Sequence, residues 1–582
     1  MLAIRSKRLK VQRSLASAVL LVACAWGQGL AEPAEVVLRN GVVLTVDAQD
    51  TVAGAVAIRN GRVVAVGSDA VVAKLVGPHT KVIDLAGKTV TPGMIDTHAH
   101  VLSGVTDGMY KADLTRAASV AEILTRVKAQ AEKTPAGDWV EGSGWNEGVI
   151  AEHRGPTLKE LDAVTAGHPV LLENVTHHYA IANSAALAKV GIDATTKDPE
   201  GGTIVRDAGG QPTGLLKEAA QNLAINAIPP LTAAQYRRGV QAVLEQMHAL
   251  GLTGVKDIVY PDAWAAYLAY AKSDGLTAHI CPLMWAGTTV GSAKVTLSAI
   301  KHARTEVSAL KSQDLGVCGA KILLDGSAMG RTAWRNEDYA PDPRRPGPTG
   351  RGYSTVEPAQ YRAMVKLFNA AGVPVGTHAI GDRAIDLAVD SYADALRESP
   401  QIGLRHSVIH AHEPTEHALT VMQELQKKYD AGIPETQSVF LYWLGDSLPA
   451  AFGPAQSQHL MPLATYRKLG MVFASGSDFP VTPLSPALGL WAAVAREPLK
   501  GTFGAHPFGM DEAVDVHTAL RSYTEWAARQ LFLEKETGTV AVGKWADLAV
   551  WDRNPYAVST AELKDMKCVM TLYKGAVVFE RR

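Results

Sequence analysis

The sequence predicts an α/β protein: a (β/α)8 TIM barrel, with a composite β-sandwich built from both termini and a large insertion after barrel strand 1. Three observations predict it. Eight short apolar runs bounded by turn residues alternate with segments of helical spacing, the pattern of parallel βαβ units, and eight such units close a barrel. Both ends of the chain are β-rich instead. About 150 residues separate the first run from the second, far more than one crossover needs.

Taken in order, residues 1–31 read as a signal peptide. Arg5, Lys7, Arg8, Lys10 and Arg13 form a basic start, Leu15 to Trp26 is mostly apolar, and Gly29-Leu30-Ala31 offers small residues for cleavage. The apolar stretch is too short for a membrane span, and no twin arginine precedes it. Export to the periplasm or medium, with cleavage after Ala31, is the expectation. Leu21-Val22-Ala23-Cys24 also resembles a lipobox, which would leave a lipid anchor on Cys24 instead.

Residues 35–88 supply the N-terminal part of the sandwich, with Arg39-Asn40-Gly41 and Arg59-Asn60-Gly61 as two hairpin turns. Residues 535–582, opening on Gly543-Lys544-Trp545-Ala546-Asp547-Leu548, supply the C-terminal part. The barrel takes residues 89–530. Its first strand spans 88–96, and the others 252–259, 279–286, 317–324, 373–378, 404–410, 433–441 and 471–477. An inserted subdomain, about 105–250, is expected over the C-terminal face, where barrel active sites lie. Cys281 and Cys318 sit beside apolar strands and read as buried thiols. A net charge of −1 offers no field for nucleic acid or anionic lipid, which leaves a small molecule as the expected partner.

Thr91-Pro92-Gly93-Met94-Ile95-Asp96-Thr97-His98-Ala99-His100 ends the first strand. Residues two apart on an extended backbone share a face, so His98 and His100 can hold one metal ion. Lys321 lies among apolar neighbours in the fourth strand and must reach solvent, find a counter-charge or change its chemistry. His378 ends the fifth strand. On the sixth, parity leaves His406, His410 and His412 open. Asp478 closes the eighth strand, either as a helix N-cap or as a general base.

This order of residues resembles the amidohydrolase superfamily, and more narrowly its amidohydrolase-3 branch, the YtcJ-like proteins that include N-substituted formamide deformylases. Asp325-Gly326-Ser327, His378-Ala379-Ile380-Gly381-Asp382-Arg383 and Gly476-Ser477-Asp478-Phe479-Pro480-Val481 carry the resemblance. It implies a divalent metal centre, with zinc first choice and two ions expected: His98 and His100 on one, His378 and His410 on the other. An N6-carboxylated Lys321 would bridge them, and Asp478 would bind metal and shuttle protons. It implies hydrolysis of a non-peptide C–N bond (amide, N-acyl or N-formyl), with a homodimer as the assembly to consider. His178, Trp145 and Arg331 are the candidate substrate contacts, although Trp145 equally suits packing within the insertion and Arg331 a structural ion pair. Ile409 stands where the family's sixth strand usually carries glutamate. A lactonase or deaminase on the same frame, or a non-catalytic exported binding protein, are the alternatives.

Overall fold

The computed structural model describes residues 32–310, 312–341, 350–501 and 509–581; the expected signal peptide and Cys24 lie outside the described residues. Eight barrel strands follow in order: β1 (Met94–Ala99), β2 (Leu252–Val259), β3 (His279–Ile280 with Leu283–Trp285), β4 (Gly319–Leu323), β5 (Val375–Ala379), β6 (Ser407–His410), β7 (Ile433–Thr436) and β8 (Ala474–Ser475). Every ladder from β1 through β8 is parallel. Between β8 and β1 individual hydrogen bonds close the ring. Thr97 Oγ1 donates to the Ser475 carbonyl (3.0 Å) and the Asp478 amide to the His98 carbonyl (2.7 Å). The buried Asp96 carboxylate accepts the amides of both His98 and Ser477 (3.0 Å each), so the aspartate of the first-strand motif fastens the seam. A Cβ on Gly476 would stand 2.6 Å from the His98 nitrogen, which is why the eighth strand carries glycine there.

The helices bury one apolar face each against this ring. Ala233–Ala249 starts at a Thr232–Gln235 capping box and turns Val240, Val243, Leu244 and Met247 into the barrel core. It packs on Val101–Tyr110, the helix that follows β1. Both therefore belong to the barrel wall rather than to the insertion expected at 105–250. Between them stands a six-stranded sheet in the order Gly202–Arg206, Pro212–Glu218, Tyr179–Ala182, Val170–Asn174, Val140–Trp145, Ala112–Asp113.

The sandwich is composite. One sheet holds four N-terminal strands between Val36 and Asp84; the other orders Ala576–Glu580, Cys568–Tyr573, Leu548–Trp551, Thr89–Pro92, Val42–Leu44 and Val52–Ala53. Leu38, Val56 and Ile58 pack with Leu548, Val550 and Leu572 in its core. The stretch expected as one strand over 88–96 is two. Thr89–Pro92 pairs in the sandwich and β1 begins at Met94, with Gly93 between them, where a Cβ would meet Thr253 Oγ1 at 2.1 Å. Asn60-Gly61 is a hairpin turn with both residues at positive φ (52° and 72°). Asn40-Gly41 is not. The strands on its two sides lie in different sheets, and Gly41 lets the chain cross between them, since a Cβ would lie 2.6 Å from the Lys88 carbonyl. The signature aspartate Asp547 accepts the Lys574 amide and pairs with His279 Nε2 (2.9 Å each), tying the sandwich to the start of β3.

Two further expectations are corrected. The seventh strand ends at Thr436, and Val439–Trp443 is a helix. Cys281 and Cys318 are joined in a disulfide rather than left as thiols: neighbouring strands bring their Cα atoms to 5.3 Å, within bonding reach. Among the described residues no helix is long and apolar enough to cross a membrane.

Candidate metal centre

The C-terminal ends of five barrel strands converge on one buried point. From β1 come His98 and the partly exposed His100, and just beyond β8 comes Asp478. Its Oδ1 lies 3.2 Å from His98 Nε2 and 3.5 Å from His100 Nε2. A ligand atom from each of these three lies within 4.8 Å of the other two. Lys321 of β4 points up the lumen and places Nζ 3.2 Å from His98 Nε2. The His378 and His410 rings of β5 and β6 are 4.3 Å apart, and His410 is 5.4 Å from His98.

The His378 and His410 rings are each oriented by a hydrogen bond behind them. Gln437 Oε1 pairs with His410 Nδ1 at 2.8 Å, turning Nε2 inward. His378 Nε2 faces the Gly326 carbonyl at 3.2 Å, so Nδ1 is the nitrogen left to serve the centre. Asp325 accepts the amides of Ile380 and Gly381 (3.1 and 2.9 Å) and so clamps the end of β5 to the end of β4.

The protonation states suit a cation. Burial, reinforced by the Lys321 ammonium, pushes His98 down to about 3. Burial and neighbouring positive groups hold His378 and His410 well below the ordinary histidine range. Burial alone would raise Asp478, but the facing His98, His100 and His410 hold it well below the usual carboxylate range. Neutral imidazoles and an ionised carboxylate, converging at one point, are the deprotonated donor set a divalent metal requires. The residues therefore fit the group. Burial also pushes Lys321 down to about 7, against the pull of Asp478 and Glu435.

A profile of the amidohydrolase family matches residues 81–579. The chain belongs to the amidohydrolase family. It is a metal-dependent hydrolase of carbon–nitrogen bonds other than peptide bonds. Among its relatives, the N-substituted formamide deformylase of Arthrobacter pascens is 30% identical, over 94% of this chain and 98% of that protein. YtcJ of Bacillus subtilis, assigned to the amidohydrolases, is 29% identical over 87% and 91%. A metal-dependent hydrolase from Pyrococcus horikoshii superposes with a TM-score of 0.70 at 24% identity, covering 90% of this chain and 99% of that one.

In this amidohydrolase the centre opens into a cavity with His178, His378, His410 and Asp478 among its lining. His178 descends from the insertion to a ring distance of 5.0 Å from His378, and Glu218 holds its Nδ1 at 2.8 Å. Burial works against a charge on His178, but Glu218, Asp325 and Asp478 outweigh it and raise the group. Trp145 and Arg331 do not line the cavity. Trp145 is buried in the insertion's own core, edge-on to Tyr179 at 5.6 Å, because its strand turns that face toward Val140 and Leu172. Arg331 donates to the Ala450 carbonyl at 3.0 Å.

The three histidines left open on the sixth strand separate by their partners. His406 accepts the Val375 amide (3.0 Å) and lies near Asn369, so it serves the wall; His410 joins the centre; His412 lines the cavity. Ile409 packs with Ile95, Ile258 and Leu283 on the lumen floor. Its register partner on β7, Glu435, brings a buried carboxylate to the same level and pairs with Lys256 of β2. Glu218, Gln437 and the Lys256–Glu435 pair carried no sequence signal, since each lies outside any spaced motif.

A lysine whose folded pKa of about 7 lies below its unfolded value of 10.5 binds fewer protons folded than unfolded between those limits. Stability of the metal-stripped protein should therefore rise with pH across that window, while below about 7 the full cost of the buried charge remains. Urea unfolding at pH 7 and 9 should show metal-free wild type gaining on Lys321→Met as pH rises. A pH-independent difference would contradict it.

Proposed function

We propose that this chain is an exported amidohydrolase that cleaves an amide, N-acyl or N-formyl bond of a small molecule at a two-metal centre, with zinc as the ion. The convergence of His98, His100, Lys321, His378, His410 and Asp478 carries the reading. The relative whose name states its substrate, a formamide deformylase, supports the choice of bond. His98 and His100 would hold one ion, His378 and His410 the other. Lys321 meets no carboxylate at ion-pair distance among the described residues, because Glu435 is paired with Lys256. A neutral Lys321 amine that combines with carbon dioxide and loses a proton would give a carbamate, an anionic oxygen donor for the centre.

When bound at these residues, a divalent metal would supply a water of pKa about 7 and would polarise the scissile carbonyl. Asp478 takes the proton released as the water attacks and returns it to the departing nitrogen. The site holds Asp478 ionised for the first of these steps, and its approach to His100, the most exposed ligand, leaves it a path to substrate. His178, held at Nδ1 by Glu218, stands to hydrogen-bond the substrate. Replacing Asp478 with Asn should lower turnover of N-formyl and N-acyl amines by at least 1,000-fold (roughly what loss of an essential proton carrier costs) while circular dichroism stays unchanged. Turnover near wild type would refute the assignment.

Export is supported by the Cys281–Cys318 disulfide, since such bonds persist in oxidising compartments. Protein recovered from outside the cytoplasm of its host should begin at Glu32 and, unfolded without reductant, show Cys568 as its one reactive thiol. A chain recovered only from the cytoplasm, with three reduced cysteines besides Cys24, would contradict export.

A further inference from the structure

The cavity above the metal centre has two characters. One wall is apolar: Met329, Ile380, Phe440, Leu444, Leu448 and Val481. Most polar groups that face it already have partners within the protein. Thr176 Oγ1 donates to Asn174 Oδ1 at 2.8 Å, and Ser327 Oγ accepts the Gly330 amide at 3.0 Å. His178 is held by Glu218, and His410 by Gln437.

His412 differs. It is 1% exposed, yet neither ring nitrogen has a hydrogen-bond partner among the described residues. Its ring stands 5.6 Å from His410 and edge-on to Phe440 at 5.5 Å, at the junction of the metal centre and the apolar wall. A buried imidazole left unpaired forfeits the hydrogen bonds it would make in water, at a cost to folding. Leucine or methionine would fill the same space without that cost, as the neighbouring residues do.

We infer that His412 is a specificity-determining contact for substrate. It hydrogen-bonds an uncharged polar atom beside the scissile bond, while an apolar alkyl or aryl substituent lies against Phe440, Leu444, Leu448 and Val481. The substrate class is then a neutral amide with an apolar substituent; an acylated amino acid, whose carboxylate would have to enter that wall without a partner, is disfavoured. The inference rests on the amide reading given under the proposed function and narrows it.

The test uses metal-loaded Asp478→Asn protein and calorimetric titration with two probes of matched length, N-hexylformamide and N-formyl-6-aminohexanoate. The neutral probe should bind at least tenfold more tightly than its carboxylate counterpart. Adding His412→Leu should weaken N-hexylformamide about tenfold, the loss expected for one buried hydrogen bond. His412→Gln should restore part of the affinity. The unliganded melting temperature of His412→Leu should be equal to or above that of the parent, because an unpaired polar group has been replaced by an apolar one. A purely structural histidine would instead lower the melting temperature and leave the ratio of the two affinities unchanged, which would overturn the inference. Equal binding of the two probes, or no binding of either, would overturn it as well. Hydrolysis by the otherwise wild-type enzyme is scored separately: binding that depends on His412 without turnover of N-hexylformamide would defeat the amide reading and leave this contact standing.

Discussion

The structure depends on one buried carboxylate at one seam. Burial works against the Asp478 charge there, and the facing His98, His100 and His410 favour it. Those partners come from both sides of the join between β1 and β8, so the barrel must close accurately for the charge to be tolerated. Asp96 reaches across to the Ser477 amide, and the missing side chain of Gly476 lets β8 approach His98. The motif that looks like a metal-binding signature is therefore also the fastening of the fold. Chemistry and closure share the same residues.

Below that level the lumen carries a second electrostatic layer. Lys256 and Glu435 neutralise each other across the barrel, and Glu435 is felt by Lys321 above it. The family's usual sixth-strand glutamate is replaced by Ile409, which joins an apolar floor, and a carboxylate stands instead on the adjoining strand. The pairing of Glu435 with Lys256 leaves Lys321 the one lumen lysine without a carboxylate at ion-pair distance among the described residues. A lysine so placed is suited to become a ligand rather than a counter-ion.

Much of this was legible in the residues because each strand end is marked. His98 and His100 sit two apart at the end of the first strand, His378 and Asp478 close the fifth and eighth, and Lys321 interrupts an apolar fourth strand; the barrel topology carries these positions to one face. What was not legible depended on contacts between distant segments. Phe440 read as the tail of a strand, since a run of apolar residues does not declare its period; the chain turns at Gln437 and Ser438 and builds that part of the cavity wall from a helix instead. Trp145 read equally as a packing residue or a ligand contact, because nothing in its neighbourhood shows which face of its strand is covered. The Cys281–Cys318 bond joins two strands whose adjacency follows from the barrel order, but the spacing of 37 residues has no signature of its own. Glu218 acquires meaning only when the insertion folds back over β5.

The proposed binuclear centre draws six side chains from five strands. Metal content per chain, measured by mass spectrometry on protein lacking residues 1–31 and purified in the presence of zinc and bicarbonate, tests it most directly. About two ions per chain are expected for such a centre, falling to one or none when Lys321 is replaced by alanine. A wild-type protein that holds a single ion, with Lys321→Ala holding the same, would contradict it.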